Sequence, residues 1–246
     1  MSTLDPIMLA GYIDESGTHD TAAALSVAIT VSDLEGWGAW GRAWMPHSES
    51  VGHRYHAKQH QRLHGTLTDL MLEHTLFSSY VTVNENTYRE KYPEWVTSVI
   101  GGAYPRLLLI TLMSASQWAQ ESRRERMFYF IEQGHRNFSR VEHMMAAIMR
   151  SGEAREMFWM EGWGVATKAD LPIACPDTLA YLSAAWNNED DPLLDKLAKA
   201  GILRRGEFTD DLLAESLPQF VEVARRTKAD IRRSREERRR KNRDPT

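Results

Sequence analysis

The sequence predicts an α/β protein, a sheet covered by helices, on three observations. Two apolar runs near the start, Met8–Asp14 and Ala22–Val31, flank Gly17 and Asp20 and read as an antiparallel hairpin. Later runs of strand character alternate with longer segments of helical period, the pattern of a sheet with helical cover. The 246 residues are 42% hydrophobic and 26% charged, enough apolar material to bury roughly 70 to 75% of the unfolded surface.

After the hairpin, Asp33 can cap a helix that carries Trp37, Trp40 and Trp44 on one face. Those rings are expected to pack in a core or at a dimer face, with base stacking as the other use open to them. A helix is expected from about Tyr55 to His74, then a strand over Phe77–Val83. Two helical segments follow over about Thr87–Gln120, parted at Gly101 and Gly102. Met127–Ile131 reads as a strand closed by Glu132, Gln133 and Gly134. Phe138–Met149 has helical spacing, and Ala154–Val165 contains a fifth strand. From Pro176 the pattern is helical, and from Asp191 to the end it is helical and increasingly charged. The expected organisation is a main domain over residues 1–190, a helical extension over 191–224, and a basic, partly disordered tail over 225–246.

Charge is divided unevenly. Between Arg225 and Asp244 stand 11 Lys and Arg against 4 Asp and Glu, a local +7, which leaves the remainder at −11 within a total of −4. An acidic body disfavours a broad phosphate-binding surface but suits a carboxylate-lined metal site, and the tail can supply attraction to phosphate backbones. A single cysteine, Cys175, excludes an internal disulfide and a Cys-rich zinc knuckle. No apolar run reaches the roughly 18 residues of a membrane span, and Met1–Ile13 lacks a signal peptide's basic start. A soluble, cytoplasmic protein without a membrane partner is expected.

The strongest local signal is Tyr12-Ile13-Asp14-Glu15-Ser16-Gly17, an apolar strand that delivers two acids at its end, where Gly17 allows a turn. Strand side chains alternate in direction, which ranks Asp14 above Glu15 as a site residue. Phe128–Glu132 again places an acid where an apolar strand stops. Pro176-Asp177 places one in the first turn of a helix, where the helix dipole favours it. If the two strands are parallel neighbours, Asp14 and Glu132 meet at one sheet edge and Asp177 can join them. Such a group needs counter-charge, most simply one or two Mg²⁺ or Mn²⁺ ions with oxygen ligands, and that arrangement suits phosphoryl transfer.

His53, His56, His60 and His64 raise a zinc reading. On a helix His56 and His64 lie about 12 Å apart along the axis, too far to share one ion. A solvated polar face is the plainer reading, with His56 beside the active site, contacting phosphate or water, as the other; Lys58 can assist phosphate binding. Cys175 reads as a small buried hydrophobe. Ser16 stands beside two acids that disfavour an alkoxide, so it is not a nucleophile.

Tyr12–Gly17 resembles the amino-terminal Y-I-D-E-S-G signature of the domain-of-unknown-function family 3800 (DUF3800). Tyr55-His56-Ala57-Lys58, the strand ending at Glu132, and Asp177–Tyr181 are counterparts of its later marks, in the same order over about residues 8–188. Glu132 stands where the family commonly has Asp, and Ala174 where it commonly has Gln. The resemblance implies a ribonuclease H-like mixed sheet with helices on both faces, here followed by a helical, basic C-terminal tail. It also implies a divalent-metal-dependent nuclease acting on DNA or RNA in a bacterial defence or mobile-element setting. Asp14, Glu132 and Asp177 are then the expected metal ligands, with Glu15 a reserve ligand among the catalytic acids, His56 and Lys58 substrate-binding, and Mg²⁺ or Mn²⁺ the cofactor. The alternative expectation is a catalytically silent ribonuclease H-like module that binds nucleic acid or a partner protein, or assembles with itself.

Overall fold

The computed structural model describes residues 8–17, 24–83, 103–134, 138–186 and 191–206, with Ala229, Arg232, Arg233 and Glu236 from the tail. Strand β1 (Leu9–Ser16) pairs antiparallel with β2 (Leu25–Asp33), and β2 pairs antiparallel with β3 (Phe77–Val83). The other edge of β1 takes β4 (Met127–Glu132) in parallel, and β4 takes β5 (Met160–Ala166) in parallel. With β6 (Leu203–Gly206) parallel to β3, the sheet runs β5-β4-β1-β2-β3-β6. This is a mixed α/β sheet with helices on both faces, the class expected from the sequence.

Alternation along the strands divides the core in two. Leu9, Ile13, Val27, Ile29 and Val31 face α3 (Ala103–Ser122) and α4 (Phe138–Arg150), where Leu108, Leu112 and Ile148 are fully buried. Ala10, Ala28 and Tyr80 face the other way, toward α1 (Leu34–Glu49), α2 (His64–His74), α6 (Ala174–Trp186) and α7 (Pro192–Lys199). Between α4 and β5 lies the single-turn helix α5 (Gly152–Met157). Helix α1 starts where expected, with the Asp33 carboxylate accepting from the Gly36 N–H at 2.7 Å. Trp37, Trp40 and Trp44 are buried in the second core, so base stacking is not their role.

Gly17 ends β1 at φ +93°, and a Cβ there would stand 1.9 Å from the Ala24 carbonyl oxygen. Gly17→Ala is therefore expected to cost more than about 2 kcal/mol. A urea midpoint equal to that of the unaltered protein would show that the turn relaxes freely.

Two expectations need correction. Residues 55–60 are irregular, with a turn at 57–59, rather than helix: the His56 carbonyl accepts from both the Gln59 and the His60 N–H at 3.0 Å, and helix begins only after a 3₁₀ turn at Gln61–Leu63. Within the stretch expected to be helical from 191, Leu203–Gly206 is instead a strand paired with β3, while Leu194 and Leu197 of α7 are fully buried in the second core. Leu203-Arg204-Arg205-Gly206 hides its strand character because an edge strand tolerates charge. The segment expected to be helical over 87–102, and almost all of the tail, lie outside the described residues. In the tail, Arg232 Nε donates to Glu236 Oε1 at 3.0 Å. Among the described residues no helix is long and apolar enough to cross a membrane.

Candidate metal centre

The parallel register pairs Ile13 with Ile131, so Asp14 and Glu132 leave β1 and β4 side by side at the same end of the sheet. Both are almost completely buried, 1% and 5% exposed. The Asp14 carboxylate accepts from the Glu15 N–H at 2.8 Å through Oδ1. Glu132 Oε2 accepts from the Gly134 N–H at 2.5 Å. Gly134 permits this approach, since a Cβ there would lie 2.6 Å from the same oxygen.

Glu15 joins them. One carboxylate oxygen from each of Asp14, Glu15 and Glu132 lies within 4.8 Å of the others. Alternation sends the Glu15 side chain toward α3, where the buried Tyr104 phenol of that helix stands beside it, and its longer arm still keeps a carboxylate oxygen within reach of Asp14 and Glu132. Glu15 Oε2 is closed off from solvent, and the Tyr104 hydroxyl is the hydrogen-bonding group beside the Glu15 carboxyl.

Asp177, in the first turn of α6 and 3% exposed, sits next to this triplet rather than inside it. Between them lies Lys168, whose ammonium pairs with Asp14 Oδ2 and approaches Asp177 Oδ1 at 3.2 Å. The second Asp177 oxygen accepts the Ala57 N–H at 2.8 Å. That bond ties the 55–60 segment to α6, and Tyr55 Oη to Thr178 Oγ1 at 2.9 Å adds a second tie. His56 and Lys58 flank the buried Ala57 and are themselves exposed, so the loop carrying them abuts the acids through its backbone. His64 is buried with Nε2 3.0 Å from the Ala57 carbonyl oxygen, a support for the loop, and no histidine enters the acid group among the described residues. Cys175 is fully buried, and burial pushes its thiol well above the usual range, which suits an inert hydrophobe.

Electrostatics at the rim are unbalanced. The Asp14 carboxyl is pushed up to about 8, by burial first, with Lys168 opposing the rise and Asp177 and Glu132 adding to it. Glu15 is raised by burial first and then by Asp14 and Glu132. Burial opposes the Lys168 charge, yet Asp14 and Asp177 outweigh it and hold the ammonium above its ordinary range. Among the described residues four acids thus gather around one lysine, which pairs with two of them, and the donors are all oxygen. Buried carboxylates converging within 4.8 Å and a donor set without nitrogen or sulfur fit a hard cation such as Mg²⁺ or Mn²⁺ rather than zinc.

Lys168 is the residue that sequence reasoning missed. Its one available signal was position: it follows β5, whose last residue Ala166 pairs with Glu132.

No family model matches the chain, and no curated protein matches it. Several solved structures overlap it. Ribonuclease HII from Archaeoglobus fulgidus, solved with PCNA, has TM-score 0.41 and 14% identity over 80% of this chain and 92% of that one. Ribonuclease H2 from Pyrococcus horikoshii OT3 gives 0.41 and 12% over 89% and 99%. Bst-RNase HIII, solved with Mn²⁺, gives 0.41 and 15% over 89% and 65%. Overlaps at this level assign neither substrate nor residue roles.

Proposed function

We propose that the chain is a divalent-metal-dependent nuclease of ribonuclease H-like architecture, and that its resemblance to the domain-of-unknown-function family 3800 reflects membership. The observation that carries this reading is the meeting of Asp14, Glu15 and Glu132 oxygens within 4.8 Å at the rim of two parallel strands, with Asp177 alongside. Asp14, Glu15 and Glu132 would hold the ion. When bound, it would polarise a phosphodiester oxygen and activate water for attack. Glu132 is held by the Gly134 N–H, and Asp177 is aimed by Ala57 and Lys168. His56 and Lys58, exposed on the adjoining loop, would contact phosphate, and the basic tail beyond 225 would add sequence-independent attraction to DNA or RNA.

One observation favours the silent-module reading: Lys168 already neutralises part of the acid charge without any metal. Labelled single- and double-stranded DNA and RNA, incubated with Mg²⁺ or Mn²⁺, separate the two. Metal-dependent cutting that falls by more than about 100-fold in Glu132→Gln is expected, because even groups that only support a metal ligand cost 10 to 100-fold. Absence of cutting on every substrate, with nucleic acid still bound, would leave the silent module.

A further inference from the structure

We propose that Lys168 is a resident cation of this centre, holding the place between Asp14 and Asp177 that a second divalent ion would need. The site then takes one divalent ion, on Asp14, Glu15 and Glu132, rather than two; this rests on the metal-site reading above.

The placement of Lys168 is built in. Strand β5 ends at Ala166, whose carbonyl accepts the Gln133 N–H at 3.1 Å, so the chain leaves the sheet directly beside Glu132. The next four residues are fastened on themselves. Asp170 Oδ2 accepts from the Thr167 N–H at 2.6 Å and from Thr167 Oγ1 at 3.0 Å, and the Asp170 N–H returns to the Thr167 carbonyl at 2.9 Å. Lys168 therefore extends from a pinned turn, and its side chain is only 29% exposed.

Its target is equally fixed. Asp177 gives one oxygen to the Ala57 N–H and presents the other to the ammonium. An ammonium needs no coordination geometry and satisfies two carboxylates through its separate N–H donors. A divalent ion drawn to the same two oxygens would meet a fixed like charge at contact distance and would have to expel it. On the other side of Asp14, the triplet with Glu15 and Glu132 holds no ammonium or guanidinium in an ion pair among the described residues. Lys168 is a positioning residue in this scheme: it orders the acids and sets how many ions they accept.

Mn²⁺ titration of the full-length protein, followed by electron paramagnetic resonance of free Mn²⁺ and by calorimetry, tests this. One Mn²⁺ is expected for the unaltered protein and for Lys168→Arg, two for Lys168→Met, and one again when Asp177→Asn is added to Lys168→Met. Lys168→Gln carries the same expectation as Lys168→Met if the latter folds poorly. Two ions in the unaltered protein, or one ion in Lys168→Met and Lys168→Gln alike, would overturn the role of Lys168 and leave the metal site standing. No Mn²⁺ bound in any form would overturn both.

Discussion

Asp14→Asn is expected to lower metal-dependent cleavage by more than about 100-fold and, in the absence of metal, to make the folded protein more stable above about pH 8. The Asp14 carboxyl stands at about 8 in the fold against an ordinary 3.8, through burial first and acidic neighbours after it. Between those values the folded protein holds a proton that the unfolded chain has released. Stability therefore falls as pH climbs across that window and stays low above it. Glu15, also raised, acts in the same direction. The penalty at Asp14 is on the order of a few kcal/mol. Asn cannot ionise and escapes it, less what the lost Lys168 contact contributed. Urea melts of the metal-free protein at pH 5 and pH 8.5 check the sign. A wild-type stability that is flat or rises between them would sink the burial argument, and Mn²⁺ is expected to restore the wild type at pH 8.5 but not the variant.

Trp40→Ala is expected to cost about 3 to 5 kcal/mol, among the largest losses a single core truncation gives. Trp40 is fully buried and lies mid-way in a run of aromatic contacts from the sheet to the metal-site loop. Phe130 stacks on Tyr12 with centroids 4.9 Å apart, and Tyr12 meets Trp37 edge-on at 5.2 Å. Trp37, Trp40, Trp44 and Tyr55 continue at 6.0, 5.7 and 5.5 Å. Tyr55 is the residue bonded to Thr178, next to Asp177. Truncation at Trp40 thus removes support from under the loop as well as area from the core. Trp40→Phe is expected to cost clearly less, because Trp40 Nε1 is buried without a hydrogen-bond partner and the substitution removes that orphan donor. Equal losses in the two variants, read from urea midpoints, would show that a phenyl ring recovers none of the indole's packing and would sink the expectation for Trp40→Phe.

The β1–β4 rim was legible in the sequence because an apolar run that stops at an acid is a strand delivering a carboxylate to a sheet edge. Phe77–Val83 was legible to the residue, its strand character undisturbed by neighbours. Other features depend on contacts distant in sequence. Histidines at i, i+4 around 56–64 imitate a helix face, but Ala57 gives its N–H to a carboxylate 120 residues away, and that competes with helix over 55–60. Alternation ranks Glu15 below Asp14, yet the rule fixes only the direction of a side chain, and a glutamate at the rim has the length to bring one oxygen to the group. Asp177 was legible as an acid near the rim, whereas its separation from the triplet was not. That separation is made by Lys168, and a lone lysine in a turn looks like any solvated surface charge.

Asp14 and Glu132 are carried by β1 and β4, two interior strands, each hydrogen-bonded to a neighbour on either side. Amides of such strands exchange with solvent last, commonly only through global opening, while sheet edges and loops breathe at far lower cost. Fraying of β5 or β6 leaves the spacing of these two acids unchanged. Mutual repulsion between them consequently finds no local escape and is borne by the fold as a whole, and an ion that quiets it is expected to slow amide exchange in β1 and β4 together.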